Sequence, residues 1–180
     1  MHKRRLLNLP EDRQAELRRQ YPWLKAVAED EKGRTDVKVM SVTVFDHWLS
    51  RDDTNRLLED VPPEEQASRT AKHAKFCGLL VAGTPVLSFA LRGRSHDRTI
   101  FRRFTSPQAL SKYCTPDGGR TLRNHNSLRH HHFRVVLPEL NCAYFESWDD
   151  THQLYYTDSI VIRPLQEWAA QAGLYILEHG

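Results

Sequence analysis

No stretch of the chain approaches the roughly 20 consecutive apolar residues of a membrane-crossing helix. The longest apolar run, Phe76 to Leu91, is interrupted by Gly78, Gly83 and Pro85. The basic opening Met-His-Lys-Arg-Arg would suit a secretory leader, but Pro10-Glu11-Asp12 cuts off the apolar segment that a leader needs. Cysteine is scarce. Cys77, Cys114 and Cys142 are an odd number at wide spacing with no CxxC, which gives no zinc ribbon, no thioredoxin-type pair and no disulfide framework. These features together predict a cytoplasmic protein. The chain also lacks a Gly-rich phosphate loop, a GxSxG and an HExxH. No complete catalytic signature is present, so the sequence leans away from an enzyme.

What the chain has is an uneven distribution of charge. Between Arg92 and Arg134 lie nine Arg and one Lys against only Asp97 and Asp117, a net of +8, with five His besides. From Val135 to Gly180 there are seven acids and one base, Arg163, a net of −6. The overall +3 hides this segregation. A block so basic attracts phosphates or an acidic protein surface.

At 180 residues the chain reads as one domain, a helical segment over 1–35 leading into an α+β core over 36–180. Leu9-Pro10-Glu11-Asp12 is a helix start, with proline at the first position and acids in the first turn. Alternating Val and Thr over Asp36–Phe45 predict a strand. Helices are expected over 46–60 and from Pro62-Pro63-Glu64-Glu65 to Ala74. Phe76–Ala82 and Val86–Arg92 flank Gly83-Thr84-Pro85 and read as a hairpin, the first arm central in the sheet. Further strands are expected over 99–104, 133–137, 141–148, 153–157 and 174–177. Helices begin at Ser106-Pro107 and at Arg163-Pro164, the latter closed by Gly173. The fold class is α+β: a mainly antiparallel sheet of about five or six strands with helices packed on it.

Four constellations could carry function. The first is the basic block, with Arg92, Arg94, Arg98, Arg102, Arg103, Arg120, Arg123 and Arg129 as candidate nucleic-acid contacts. Arginine's planar fork binds phosphate bidentately, and the interleaved Phe101, Phe104, Tyr113 and Phe133 could stack bases. The plainer alternative pairs these arginines with the acidic tail. The second is the histidine cluster. His130 and His132 would share one face of a strand and could hold a divalent metal ion, the one cofactor the sequence suggests. The plainer alternative is a surface cluster on a basic loop. The third is Cys114, a thiol in basic surroundings, which equally reads as an ordinary helix-end cysteine. The fourth is the acidic, aromatic stretch with Trp148, Asp149, Asp150, Tyr155 and Tyr156, a candidate protein-binding surface. Paired acids in a turn more often bond backbone amides.

His130-x-His132 resembles the His-x-His strand of HUH-type nicking enzymes. That resemblance would make Tyr144, Tyr155 or Tyr156 the attacking residue. Those enzymes place the tyrosine on a helix, whereas these three fall on predicted strands. Gly118-Gly119, Asn126 and His130 resemble the order of the HNH nucleases, with His96-Asp97 standing for the first His and acid. The helix expected after the Asn is replaced by a predicted strand. Three readings follow: a nucleic-acid- or phosphate-binding protein using residues 92–134, a non-enzymatic inhibitor or adaptor that docks on another protein, and a metal-dependent phosphodiesterase.

Overall fold

The computed structural model describes residues 5–29, 36–59, 61–111, 134–146, 149–159 and 162–179. Its frame is an eight-stranded sheet, every pairing antiparallel. The strands are β1 (Leu6–Asn8), β2 (Lys38–Thr43), β3 (Leu87–Arg92), β4 (Arg98–Phe104), β5 (Arg134–Leu137), β6 (Cys142–Phe145), β7 (Thr151–Tyr156) and β8 (Tyr175–Glu178). They lie in the order β1-β4-β3-β5-β6-β7-β2-β8. The helices are α1 (Glu11–Gln20), α2 (Leu24–Ala28), α3 (Arg51–Leu58), α4 (Pro63–Gly83), α5 (Pro107–Ser111) and α6 (Arg163–Ala172). The mixed class with an antiparallel sheet agrees with the sequence. The strand number, eight, exceeds the five or six expected.

Period-two alternation splits the strands between two cores. On one face Met40, Val42, Val135, Tyr144 and Leu154 pack under Phe76 and Leu80 of α4 and Leu165 and Ala169 of α6. On the other, Phe101, Val136, Ala143 and Phe145 pack under Leu17 of α1, Tyr21 at its C-cap, and Trp23 and Leu24 beside and within α2. Sheet and helices thus form three layers.

The expected hairpin at Phe76–Ala82 is overturned. That run is the C-terminal half of α4. The buried residues of α4 are Arg69, His73, Phe76, Cys77 and Leu80, a stripe at helical spacing that passes straight through the apolar run. A short apolar run does not distinguish strand from buried helix, and here the period upstream decides it. Gly83-Thr84-Pro85 is therefore a helix end and not a turn, with Thr84 at the C-cap. The actual hairpin is β3–β4, closed by Gly93–Asp97.

Gly83 sits where α4 meets α6. A Cβ there would overlap the Trp168 indole, whereas a Cβ at Gly78 would meet nothing within 4 Å among the described residues. Substitutions at the two glycines should therefore act with opposite signs. Gly78→Ala should stabilise by about 0.5–1 kcal/mol through helix propensity. Gly83→Ala should destabilise by about 1–3 kcal/mol by overpacking. Urea denaturation of both variants measures the two values.

No helix among the described residues is long and apolar enough to cross a membrane.

Candidate functional site

The β3–β4 hairpin carries the described part of the basic block. β3 pairs with β5 only at Leu87 and Ser88, and β4 pairs with β1 only at 102–104. At Phe101 the edge is closed by a side chain: the Gln14 amide donates to the Phe101 carbonyl (2.7 Å) and accepts from its N–H (2.8 Å). Beyond that point, among the described residues, β3 and β4 have only each other. Ala90 faces Ile100, Leu91 faces Thr99 and Arg92 faces Arg98. Every residue from Arg92 to Arg98 is exposed.

The two faces of this ribbon differ. Phe89 stacks on Phe145 at 5.8 Å and Phe101 lies in the core, so one face is packed. The tip is tied on that side: Lys25 Nζ donates to the Ser95 carbonyl (2.9 Å), and His96 Nδ1 lies 2.6 Å from Glu29 Oε1. Gly93, at φ +92°, makes the turn with the Asp97 carboxylate packed where a Cβ would be. The other face, by register, carries Ser88, Ala90 and Arg92 beside Arg98, Ile100 and Arg102. Arg94 projects from the turn. Arg103 belongs to the packed face, next to Leu87 and Leu7, with its side chain exposed.

Of the predicted nucleic-acid residues, the structure gathers Arg92, Arg94 and Arg98 at one tip. It places Arg102 further down the same face and Arg103 on the opposite one. Arg120, Arg123 and Arg129 lie outside the described residues, as do Tyr113, Cys114, Gly118, Gly119, Asn126, His130, His132, Phe133 and Trp148. Among the described residues, no arginine of the block pairs with an acid of the tail. Arg98 comes within 3.9 Å of Glu11, with both side chains more than 60 % exposed, a separation worth little in water. The side chains of Arg92, Arg94 and Arg103 have no hydrogen-bond or ion-pair partner among the described residues. Half-buried Arg102 has an Nε without a hydrogen-bond partner there.

A second concentration of polar groups lies inside the molecule, where α4 crosses β6, β7 and the turn between them. Its hub is Asp150, 1 % exposed and held at φ 57°. The carboxylate accepts from Arg69 (3.2 Å) and Gln66 (3.4 Å). The carbonyl accepts from Thr43 Oγ1 (3.1 Å) and His73 Nε2 (3.2 Å). Arg69 also donates to Glu65 (2.9 Å) and to the Leu57 carbonyl (2.8 Å), which ties α3 to α4. His73 stacks on His152, ring centroids 4.1 Å apart at 20°, and His152 Nδ1 shares a hydrogen bond with the Tyr144 hydroxyl. Cys77 and Glu146 close the group, with the thiol 4.0 Å from a carboxylate oxygen.

Because a carbonyl only accepts, His73 is the tautomer with its proton on Nε2. Its Nδ1 is buried with no hydrogen-bond partner among the described residues. Burial pushes the His73 pKa down to about 4, a shift only partly opposed by Asp150. The cluster thus holds a neutral imidazole, a carboxylate–guanidinium pair and a phenol in a closed space, and it fastens three elements together.

These positions bear on the other expectations. Asp150 and Tyr156 are interior, Tyr155 is half-buried and Asp149 accepts from the Thr151 N–H within the turn (3.3 Å). The described members of the predicted partner-binding set therefore do not form one exposed surface. Tyr144, the first candidate attacking tyrosine, is fully buried on His152, and His96-Asp97 is in the β3–β4 turn. Burial pushes the Cys142 thiol up, out of the nucleophilic range. Among the described residues no three His, Cys, Asp or Glu side chains group to hold a metal ion. The buried cluster was not foreseen. Its one signal was Arg69 and His73 occupying the apolar phase of a helix. Among the described residues the large exposed apolar side chains are Tyr175 on the edge strand β8 and Trp48, which lies edge-on to His179 at 4.5 Å.

No protein-family profile, curated protein or solved structure matches the chain.

Proposed function

We propose that this protein binds the phosphate backbone of a nucleic acid through the exposed tip of the β3–β4 ribbon, with Arg92, Arg94 and Arg98 as the principal contacts and half-buried Arg102 behind them. One observation carries the reading: Arg92 and Arg98 stand directly opposite each other at the exposed end of the ribbon. Like charges in that relation destabilise a hairpin. Their roughly 5 Å separation suits two guanidinium groups converging on one anion. Arg94 adds a third donor fork from the turn.

Arg92→Glu combined with Arg98→Glu should weaken binding to labelled DNA on the order of a hundredfold at low salt, two attractive contacts becoming repulsive ones. Arg103→Glu, on the other face, should leave binding nearly unchanged. Equal losses in the two variants would show that the ribbon tip is not the contact. The far-ultraviolet circular dichroism spectrum of each variant should match that of the parent.

A protein partner is a second reading, favoured by Tyr175, exposed on the edge strand β8, and by exposed Trp48 beside His179. It predicts a partner that co-purifies with the parent and is lost from Trp48→Ala with Tyr175→Ala.

A further inference from the structure

We infer that two copies of this chain associate through their β8 edges, Ile176 pairing with Ile176 across a two-fold axis and Glu178 of each copy meeting Lys72 of the other. This goes beyond the reading of the arginine tip and does not depend on it.

β8 ends the sheet and pairs only with β2 among the described residues. The register of that pair fixes what its outer side offers. Met40 faces Glu178, so Val39 faces His179, and the His179 N–H donates to the Val39 carbonyl (3.4 Å). Bonded and non-bonded pairs alternate along an antiparallel ladder. Tyr175 and Leu177 therefore turn their backbone groups toward β2, and Ile176 and Glu178 turn theirs outward. Sheet edges are commonly blunted by lysine, proline or a bulge. The opposite edge strand, β1, is followed closely by Pro10. β8 reads Tyr-Ile-Leu-Glu in unbroken register and carries none of these devices.

Symmetry and charge select one register. The two-fold axis between antiparallel edge strands stands perpendicular to the sheet, so both copies show the same face on the same side. Residues directly opposite also share a face, which places the axis at a residue and not between two. An axis at Glu178 sets two carboxylates directly opposite, and one at Leu177 leaves them on a close diagonal. An axis at Tyr175 shortens the ladder, because the Leu174 N–H already donates to the Ala169 carbonyl (2.9 Å). With the axis at Ile176 the two isoleucines exchange both backbone bonds. Each Glu178 N–H then reaches the carbonyl of the other copy's Leu174, and the two glutamates are far apart.

The charges match in that register. The Lys72 side chain passes 3.8 Å from where a Cβ on Gly173 would be, just before Leu174. The exposed Lys75 ammonium donates to the Gln171 carbonyl nearby. One end of β8 is thus basic and the other carries exposed Glu178. Lys72 and Glu178 have no hydrogen-bond or ion-pair partner among the described residues. Within one chain they stand at opposite ends of β8, about 15 Å apart along the strand. Self-pairing brings each Glu178 to the other copy's Lys72 on one side of the sheet. Leu174 and Ile176, which share a face with Glu178, pack in the core beneath α4. On the other face Tyr175, 47 % exposed, covers half-buried Leu177 of the second copy. β3 and β4 lie toward the far end of the sheet, so both arginine tips remain free.

The test is sedimentation equilibrium of the full chain across the micromolar range, where a short edge interface should assemble. The mass should rise from 21.0 kDa toward twice that value. Glu178→Lys alone and Lys72→Glu alone each bring like charges together and should weaken association at least about tenfold. The double variant exchanges the signs and should recover association to within a few-fold. Ile176→Pro removes an outward N–H at an edge position and should leave only monomer. The charge variants carry the test if the proline variant does not fold. A parent that stays monomeric throughout the range would overturn the proposal, as would a dimer indifferent to both single reversals. Weakening by both with no recovery in the double variant would overturn the Glu178–Lys72 contact and the register with it.

Discussion

Asp150→Ala should cost about 3–5 kcal/mol, the loss seen when one partner of a buried ion pair is removed. The side chains of Arg69 and Asp150 are 6 % and 1 % exposed, so the guanidinium loses its buried carboxylate and keeps only Glu65, whose side chain is 53 % exposed. Alanine would also have to hold a left-handed backbone at φ 57°. Asp150→Asn separates the two causes. Asparagine tolerates that backbone and still offers an oxygen to Arg69 or Gln66, so the variant should lose clearly less. Since a domain of this kind is held by about 5–15 kcal/mol in total, the alanine variant should unfold at far lower urea. Equal losses for Ala and Asn would mean that neither backbone tolerance nor the retained acceptor matters, and that the negative charge alone carries the effect.

Stability should also fall on mild acidification, and His73 should be a main cause. Its ordinary pKa is 6.5 and in the folded protein it is held at about 4. Between those values the unfolded chain takes up a proton that the folded one refuses, so the folded state is favoured less as pH falls. The contribution is fully present above pH 6.5 and is lost through the window down to about 4. A gap of this size amounts to about 3 kcal/mol. The groups acting on the imidazole are Asp150 and Lys72, with the His152 ring stacked on it. The two stacked rings leave no space for water between them. His73→Gln keeps a donor for the Asp150 carbonyl and does not titrate. Its stability should therefore decline less steeply than the parent's between pH 6.5 and 4, and parallel curves would contradict the assignment.

Local signals explain most of what the sequence predicted. The alternation of β2, the arginine-bearing strands β3 and β4, and α6 between Arg163-Pro164 and Gly173 all follow from patterns a few residues long. The failures are non-local. Nothing near Leu6–Asn8 marks it as a strand; it becomes one by pairing with Arg102–Phe104, far along the chain. Phe76–Ala82 has a strand's composition, and only the upstream phase of Arg69 and His73 reveals the helix. The same two residues were the available clue to the buried cluster, because charged and titratable side chains on a core stripe need buried partners. Those partners, Tyr144, Asp150 and His152, come from a distant part of the chain, and no spacing rule joins them. For the candidate interface, charge composition indicated the basic block. The hairpin was misplaced, however, so the tip that brings Arg92, Arg94 and Arg98 together was not foreseen.

The central claim is that exposed arginines on the β3–β4 ribbon neutralise nucleic-acid phosphates. The most direct test is the dependence of the binding constant on salt, for the parent chain and for Arg92→Gln with Arg98→Gln, on one DNA duplex. The parent should show a steep linear fall of log Kobs with log salt concentration, and the double variant a slope shallower by about 1.8, two phosphate contacts at about 0.9 each. Identical slopes, or binding that ignores salt, would contradict the account.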